Sequence, residues 1–188
     1  MEQELLLELA RTSLVSAVAS SPAPELFEPP ASLLKQRACF VTLTQAGVLR
    51  GCMGNLLPRA PLYKTVIENT RNAALRDPRF PPVQEDELGV VQVEITVLSE
   101  LQPLSYNSVD DLLSQLQPSE HGVFLQIGTR IATFLPQVWE QVPDRIQFLD
   151  RLAQKSGCSP SAWRDQQAEL CIYYAESFAE PTPALQEN

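Results

Sequence analysis

The stretch Cys39-Phe-Val-Thr-Leu-Thr-Gln-Ala-Gly-Val-Leu-Arg-Gly-Cys-Met-Gly54 decides the fold. Residues 39–44 alternate around β-branched side chains, as a half-buried strand does. Gln45-Ala46-Gly47 is a short turn, because its glycine readily adopts a positive φ. Residues 48–54 form the return strand, and a turn this short requires antiparallel pairing. The stretch therefore predicts a β-hairpin.

The return strand carries the residues with the clearest chemical potential. Strict alternation places Arg50 and Cys52 on the same face, and a neighbouring cation favours a thiolate over a thiol. Gly51 and Gly54 weaken a strand, so they often mark a bulge or a close backbone approach. Cys52 is a candidate nucleophile or attachment point, and the alternative is a small buried hydrophobic residue.

A proline-stiffened segment follows the second predicted helix. Asp77-Pro-Arg-Phe-Pro-Pro82 cannot continue a helix, and stiff loops hold polar groups in place. Asp77 and Arg79 could therefore bind an anionic substrate group and its counter-partner. An internal Asp77–Arg79 salt bridge is an equally good interpretation.

Glu94 lies in the middle of a strand predicted over residues 89–99. One face of this strand is apolar and consists of Val91, Val93, Ile95 and Val97. On the polar face, a carboxylate needs a partner or water. Glu94 could orient Arg50 or accept a proton, and a plain Arg–Glu pair in a polar sheet face is the alternative.

His121 is the one histidine of the chain, and it precedes a second predicted hairpin, residues 123–127 and 130–134. A cysteine nucleophile needs a base, so His121 is a candidate, although a lone histidine is usually a surface residue or a satisfied core residue. Thr133 flanks the same hairpin. We expect this hairpin to join the first sheet, so that all these side chains converge on one open face between two lobes.

The remaining pattern predicts four helices, at residues 3–20, 61–75, 108–117 and 144–156, and a last strand at 170–178. Strands in hairpins with separated helices indicate an α+β fold, not a parallel βαβ series. We expect one domain over residues 1–182, with two lobes, and a disordered tail at 183–188.

Composition excludes several function classes. The net charge is −9 across 188 residues with no basic run, which argues against nucleic-acid binding. No apolar run reaches the ~18 residues of a membrane span, and the acidic first residues are unlike a signal peptide, so we expect a cytoplasmic protein. The four cysteines form no zinc-site pattern, no metal site is expected, and Cys39, Cys158 and Cys171 are interpreted as structural.

Four motifs, in this order, resemble those of the AMMECR-type domain. They are Leu49-Arg-Gly-Cys-Met-Gly54, Ala74-Leu-Arg-Asp-Pro-Arg-Phe-Pro-Pro82, Val93-Glu-Ile-Thr-Val-Leu98 and Thr133-Phe-Leu-Pro-Gln-Val-Trp-Glu140. Their order and spacing resemble the bacterial branch named AmmeMemoRadiSam system protein A, over roughly residues 5–180. The resemblance implies an antiparallel sheet with helices packed outside, in a larger and a smaller lobe. A His-Gly pair often stands at this place in the family, which favours a role for His121.

The family name implies two partners, a Memo-like protein and a radical S-adenosylmethionine enzyme. This chain has no three-cysteine cluster motif, so it is not the radical enzyme itself. We expect an accessory enzyme or a small-ligand-binding component that uses a Cys/Arg cleft, and the alternative is a non-catalytic protein-interaction scaffold. The candidate catalytic residues are Cys52, His121 and Glu94, and the candidate substrate-binding residues are Arg50, Asp77, Arg79 and Thr133. The sequence indicates no particular cofactor.

Overall fold

Helices and pairs of strands alternate along the chain in the computed structural model, which describes residues 2–165 and 167–181. The helices are α1 (Glu2–Val18), α2 (Leu62–Leu75), α3 (Val109–Gln115) and α4 (Arg145–Lys155). The strands are β1 (Cys39–Gln45), β2 (Val48–Gly54), β3 (Val91–Leu98), β4 (Gln102–Pro103), β5 (Gly122–Ile127), β6 (Arg130–Phe134), β7 (Ala168–Tyr173) and β8 (Ala175–Ala179). The predicted α+β fold is confirmed, and the predicted tail at 183–188 lies outside the described residues.

Two compact units divide the chain. Among the described residues, the first unit comprises residues 2–97 and 176–181. The second unit is the stretch in between, Leu98–Ala175. Each unit has its own four-stranded sheet and its own hydrophobic core.

The first unit packs α1 and α2 against a sheet of order β2-β1-β3-β8. The predicted first hairpin forms β1 and β2, and its turn places Ala46 and Gly47 at φ +49° and +77°. Alternation decides which side chains are buried: Val41, Leu43 and Val93 point to the core and are fully buried. The opposite face of these strands carries the polar residues.

The second unit packs α4 and several short turns against a sheet of order β4-β7-β5-β6. Asp144 begins α4 as an N-cap, because its Oδ1 accepts the Gln147 N–H at 2.8 Å. The ring of Phe148 on α4 stacks on Trp139, with centroids 3.6 Å apart. Both rings are buried in the second core.

Two expectations about strand placement are wrong. The hairpin β5–β6 does not join the first sheet, because β5 pairs with β7 and β6 in a sheet of its own. The single strand expected at 170–178 is two strands, and the chain changes sheets at Tyr174. Hairpins are set by local turns, whereas the choice of sheet depends on pairing between residues far apart in sequence.

Candidate functional site

β2 lies at the edge of the first sheet and contains an irregularity. Leu43 pairs with Gly51, whereas Thr44 pairs with Leu49, so Arg50 is the extra residue of a β-bulge. Strict alternation between Arg50 and Cys52, on which the predicted Arg–Cys pairing depended, is therefore broken.

Arg50 anchors the proline segment to the sheet. Its Nε and Nη2 donate to the two carboxylate oxygens of Glu87, at 2.6 and 2.9 Å. Its Nη1 donates to the Pro81 carbonyl at 2.9 Å, and Nη2 to the Pro82 carbonyl at 3.4 Å. The hydrogen bond from Glu87 raises the pKa of Arg50, and the same bond lowers the pKa of Glu87. The expectation that Glu94 orients Arg50 is wrong, because Glu87 takes that place.

One sequence pattern indicates that the Glu87 side chain forms a local hydrogen bond. It stands three residues after Gln84 at a helical start, and its Oε2 accepts the Gln84 N–H at 2.8 Å, as in a capping box. A capping pattern predicts a local hydrogen bond. It does not predict the arginine that reaches the same carboxylate from β2.

Asp77 and Arg79 form a salt bridge, and both side chains hydrogen-bond to the backbone of Cys52. Arg79 Nε donates to Asp77 Oδ1 at 2.9 Å, and Arg79 Nη2 donates to Asp77 Oδ2 at 2.7 Å. Asp77 Oδ2 accepts the Cys52 N–H at 2.8 Å, and Arg79 Nη2 also donates to the Cys52 carbonyl at 3.2 Å. We call Cys52, Asp77 and Arg79 the edge clamp, because the two side chains replace a neighbouring strand at this residue.

The edge clamp is electrostatically polarised. The Asp77 side chain is 2% exposed and that of Arg79 is 54% exposed. The hydrogen bond from Arg79 holds the pKa of Asp77 far below its ordinary value, against the opposing effect of burial. The hydrogen bond to Asp77 likewise raises the pKa of Arg79. A buried anion therefore fixes an exposed cation next to Cys52.

Cys52, Thr42 and Glu94 form a polar row on one face of the sheet. Thr42 on β1 pairs directly with Cys52 on β2 and with Glu94 on β3, so the three side chains point the same way. Thr42 Oγ1 donates to Cys52 Sγ at 3.3 Å, and all three residues are half-buried. Sequence reasoning missed Thr42, although its place on the polar face of β1 follows from alternation.

The two glycines of β2 are required by close contacts. A Cβ at Gly51 would overlap the carbonyl oxygen of Ala73 on α2. A Cβ at Gly54 would overlap the ring of Phe40. The predicted close backbone approach is therefore present at Gly51, where α2 packs directly onto the strand.

His121 and Thr133 belong to the second unit, where both are buried. His121 Nδ1 accepts the Gln117 N–H at 3.2 Å, so Nε2 carries the proton, and Nε2 lies 3.3 Å from the Tyr174 hydroxyl. Thr133 Oγ1 lies 2.8 Å from the Tyr173 hydroxyl and donates to the Val123 carbonyl at 2.8 Å. We call His121, Thr133, Tyr173 and Tyr174 the tyrosine cluster.

The tyrosine cluster consists of satisfied polar groups. Burial lowers the pKa of His121, which keeps the imidazole neutral. Burial also raises the pKa of Tyr173 to about 12. The His121 carbonyl accepts the indole N–H of Trp139 at 2.7 Å. These contacts describe a hydrogen-bonded core histidine, the alternative that the sequence left open beside a catalytic base.

The other three cysteines differ in environment. Burial raises the pKa of Cys39 to about 12, and burial also raises the pKa of Cys171. Cys158 is different, because the Ser156 hydroxyl and then Arg130 lower its pKa, with Arg130 Nη1 at 3.8 Å from the sulfur. The sequence pattern indicates a structural role for Cys158, and its polar neighbours Ser156 and Arg130 do not follow from that pattern.

Within the first unit, the residues converge on a small polar surface that contains an exposed guanidinium, a half-buried thiol, a hydroxyl and a carboxylate. Such a surface can bind an anionic group through Arg79 and place the rest of the ligand over the thiol. Among residues 2–165 and 167–181, no group of three His, Cys, Asp or Glu side chains could hold a metal ion.

Comparisons with known proteins follow the whole chain. A family model described as AMMECR1 matches residues 7–178. A Methanosarcina barkeri protein is 36% identical over 197 residues, which cover 100% of this chain and 96% of that protein. A Methanopyrus kandleri protein is 32% identical over 186 residues, which cover 97% of this chain and 90% of that protein.

A solved structure has the same fold. The crystal structure of the uncharacterized protein PH0010 from Pyrococcus horikoshii superposes with a TM-score of 0.86 and 29% sequence identity. The superposition covers 96% of this chain and 92% of that chain. Within the described part of the chain, none of the helices is both long and apolar enough to span a bilayer.

Proposed function

Since this chain belongs to the AMMECR1 family, we propose that it binds a small acidic ligand on the polar surface beside Cys52. One observation carries the proposal. The Arg79 guanidinium is 54% exposed, while the carboxylate that fixes it is 2% exposed. A cation held rigidly at a surface by a buried partner is preorganised for an anion, because little side-chain entropy is lost when the anion binds.

The hydrogen bonds of Arg79 leave room for a ligand. Its Nε and Nη2 groups are used by Asp77 and by the Cys52 carbonyl. Among the described residues, Nη1 has no hydrogen-bond partner, so its two N–H groups are available to a carboxylate or phosphate oxygen.

The polar row adds specificity next to the cation. The Cys52 thiol and the Thr42 hydroxyl supply a hydrogen-bonding pair at 3.3 Å. Glu94, two strands from Cys52, repels a second negative charge and favours a ligand whose far end is neutral or basic. The preferred ligand is therefore a monoanion with a polar or cationic tail.

A catalytic role is the stronger form of the same proposal. Cys52 would then act as a nucleophile, and the neighbouring Arg79 cation would favour its thiolate. Glu94 lies two strands from Cys52, so it would act as a base on the bound ligand and not on the thiol. His121, the other predicted base, lies in the second unit with both ring nitrogens in hydrogen-bonding contacts. His121 and Thr133 remain predicted site residues, and the contacts of the first unit support binding more directly than catalysis.

The proposal extends to a shared pathway. The order and spacing of the four sequence motifs resemble AmmeMemoRadiSam system protein A, which supports a role beside a Memo-like protein and a radical S-adenosylmethionine enzyme. Co-purification of the three proteins, expressed together, tests this extension. Stable association that is lost without any one member would support it, and independent elution of all three would contradict it.

A scaffold function has one observation in its favour. Phe27, in the proline-rich connector between α1 and β1, is 83% exposed, and exposed aromatic side chains are enriched at protein interfaces. If the chain is a scaffold, Phe27→Ser should weaken association with a partner while ligand binding beside Cys52 is unchanged.

The binding test uses the full chain and simple probes. Succinate, β-alanine, inorganic phosphate and neutral succinamide are titrated while backbone amide shifts are followed by NMR. We expect saturable shifts around Cys52 and Arg79 with β-alanine, smaller ones with succinate, and none with succinamide. Arg79→Gln should weaken binding about tenfold, which corresponds to ~1.4 kcal/mol.

Arg59 is the matched control, because it is an exposed arginine of the same unit. Arg59→Gln should leave the affinity unchanged, and Arg79→Lys should retain part of it because the charge is kept. Equal weakening by Arg59→Gln and Arg79→Gln would show that only net charge matters. That result, or no saturable shift with any probe, would overturn the proposal.

A further inference from the structure

A groove of about 710 Å³ lies entirely within the second unit, and its lining includes none of the candidate site residues. It exists because β4 has only two residues, which pair with Ile172 and Cys171 of β7. Beyond Pro103 the chain leaves the sheet, and a space opens beside the first half of β7. Its volume falls within the roughly 300–1,000 Å³ of typical small-molecule sites.

The groove has a fixed apolar floor. The Leu104 N–H donates to the Leu170 carbonyl at 2.9 Å, which holds the half-buried Leu104 beside β7, whereas the Leu170 side chain lies in the core. Tyr106 closes one end, where its hydroxyl donates to the Ala168 carbonyl at 3.4 Å. These hydrogen bonds hold the walls in place before any ligand binds, which limits the entropy cost of binding.

One guanidinium faces the groove in a fixed position. The Arg164 side chain stacks on the buried Trp163 ring at 4.0 Å, and its Nη1 donates to Asp150 Oδ1 at 3.1 Å. Within the described part of the chain, its Nε and Nη2 have no hydrogen-bond partner. The side chain is 35% exposed, so the free N–H groups are accessible to a carboxylate.

Two carboxylates line the same groove, Asp165 and Glu169. With Arg164 they give the lining one positive and two negative charges. This balance disfavours phosphate-rich ligands and nucleic acids, which need concentrated positive charge. It complements a ligand that carries a carboxylate at one end, an ammonium at the other and an apolar body between them.

We propose that this groove binds a short peptide with free termini, two or three residues long, whose apolar side chain rests on Leu104. The peptide carboxylate pairs with Arg164, and its ammonium pairs with Asp165 and Glu169. The site is independent of the surface beside Cys52, so either proposal can fail without the other.

The test titrates the full chain with the tripeptide Ala-Leu-Ala by calorimetry. We expect saturable binding that weakens at least tenfold when the C-terminus is amidated, and also when the N-terminus is acetylated. Ala-Gly-Ala, which lacks the apolar side chain, should bind more weakly than Ala-Leu-Ala. The absence of saturable binding, or equal binding of free and blocked peptides, would overturn the proposal.

Three variants test which charged side chain of the groove pairs with each end of the peptide. Arg164→Gln should remove the effect of amidation, and Glu169→Gln should reduce the effect of acetylation. Arg151→Gln, an exposed arginine of α4 outside the groove lining, should change neither. If Arg164→Gln alters the near-ultraviolet spectrum of Trp163, Glu169→Gln decides the matter, because its exposed side chain is outside the core. Equal effects of all three variants would contradict the proposal.

Discussion

The edge clamp of the first unit and the tyrosine cluster of the second unit both place ionisable groups in the interior of the protein. They differ in how these buried groups are stabilised. In the tyrosine cluster, His121 and Tyr173 are buried and neutral, and both are hydrogen-bonded. In the edge clamp, the buried group is charged and its partner reaches the surface. A cluster whose polar groups all satisfy one another stabilises a fold, whereas a buried charge that fixes an exposed one can also bind a ligand.

The largest effect should follow removal of the buried charge. Asp77→Ala removes the acceptor of the Cys52 N–H and of three Arg79 N–H groups. We expect a loss of about 3 kcal/mol in the free energy of unfolding, because bonds to a charged acceptor are among the stronger ones. Urea denaturation measures the loss. A loss below about 1 kcal/mol would show that the edge clamp is not structural.

The second prediction tests the close approach beneath the edge clamp. Gly51→Ala places a Cβ against the carbonyl oxygen of Ala73, and backbone cannot move aside cheaply. We expect a loss of about 2 kcal/mol from this overpacking. Gly89→Ala is the control, since a Cβ at Gly89 meets nothing within 4 Å. Equal stability of the two variants in thermal melts would contradict the packing argument.

A pH titration sharpens the comparison, because the two regions should respond in different windows. The pKa of His121 is lowered from 6.5 by burial, so the unfolded state binds the proton more tightly. Stability contributed by the tyrosine cluster is therefore present above pH 6.5 and is lost as the pH falls below it. The pKa of Asp77 is lowered from 3.8, so the edge clamp should keep its contribution until the pH falls below 3.8.

Amide hydrogen exchange, read separately for β5 and β2, measures this difference. Protection in β5 should decrease first on acidification, and His121→Gln should remove that early decrease. If acidification reduced the protection of β2 before that of β5, the predicted order of the two pH responses would be wrong.

The smallest effect concerns thiol reactivity. We expect iodoacetamide to modify Cys158 and the half-buried Cys52 in the native protein, and Cys39 only after unfolding, because thiolate character and access control the rate. Arg130→Gln should slow the modification of Cys158 a few-fold and leave Cys52 unchanged. Peptide mapping across pH measures both rates, and native labelling of Cys39 at the rate of Cys158 would refute this ranking.

The sequence predicted local elements well and long-range partners poorly. The turn at Ala46-Gly47 and the Ser108 cap, which accepts the Asp111 N–H at 3.1 Å, follow from residue types a few positions apart. The bulge at Arg50 and the partner Glu87 do not, since each depends on which distant segments meet in space. The same limit explains why the sequence predicts a single strand at 170–178. No glycine or proline at Tyr174 marks the boundary between β7 and β8.

The Asp77–Arg79 pair shows both what the sequence predicts locally and which distant contact it does not predict. Proline spacing predicted a stiff loop, and two residues with one between them can form a local ion pair. Sequence could not show that this pair would hydrogen-bond to both the N–H and the carbonyl of Cys52, because that contact joins residues 25 positions apart.

The change of sheets at Tyr174 has a consequence for biosynthesis. The second unit begins and ends at adjacent points, since the Ser99 N–H donates to the Tyr174 carbonyl at 2.8 Å and the Ser99 hydroxyl accepts the Tyr174 N–H at 2.9 Å. It is an insertion within the first unit, whose last strand β8 and the Arg11–Glu180 ion pair come from the end of the chain. On the ribosome, the inserted unit can therefore finish folding while the first sheet still lacks its fourth strand. The order of completion is then the reverse of the order in which the two units begin.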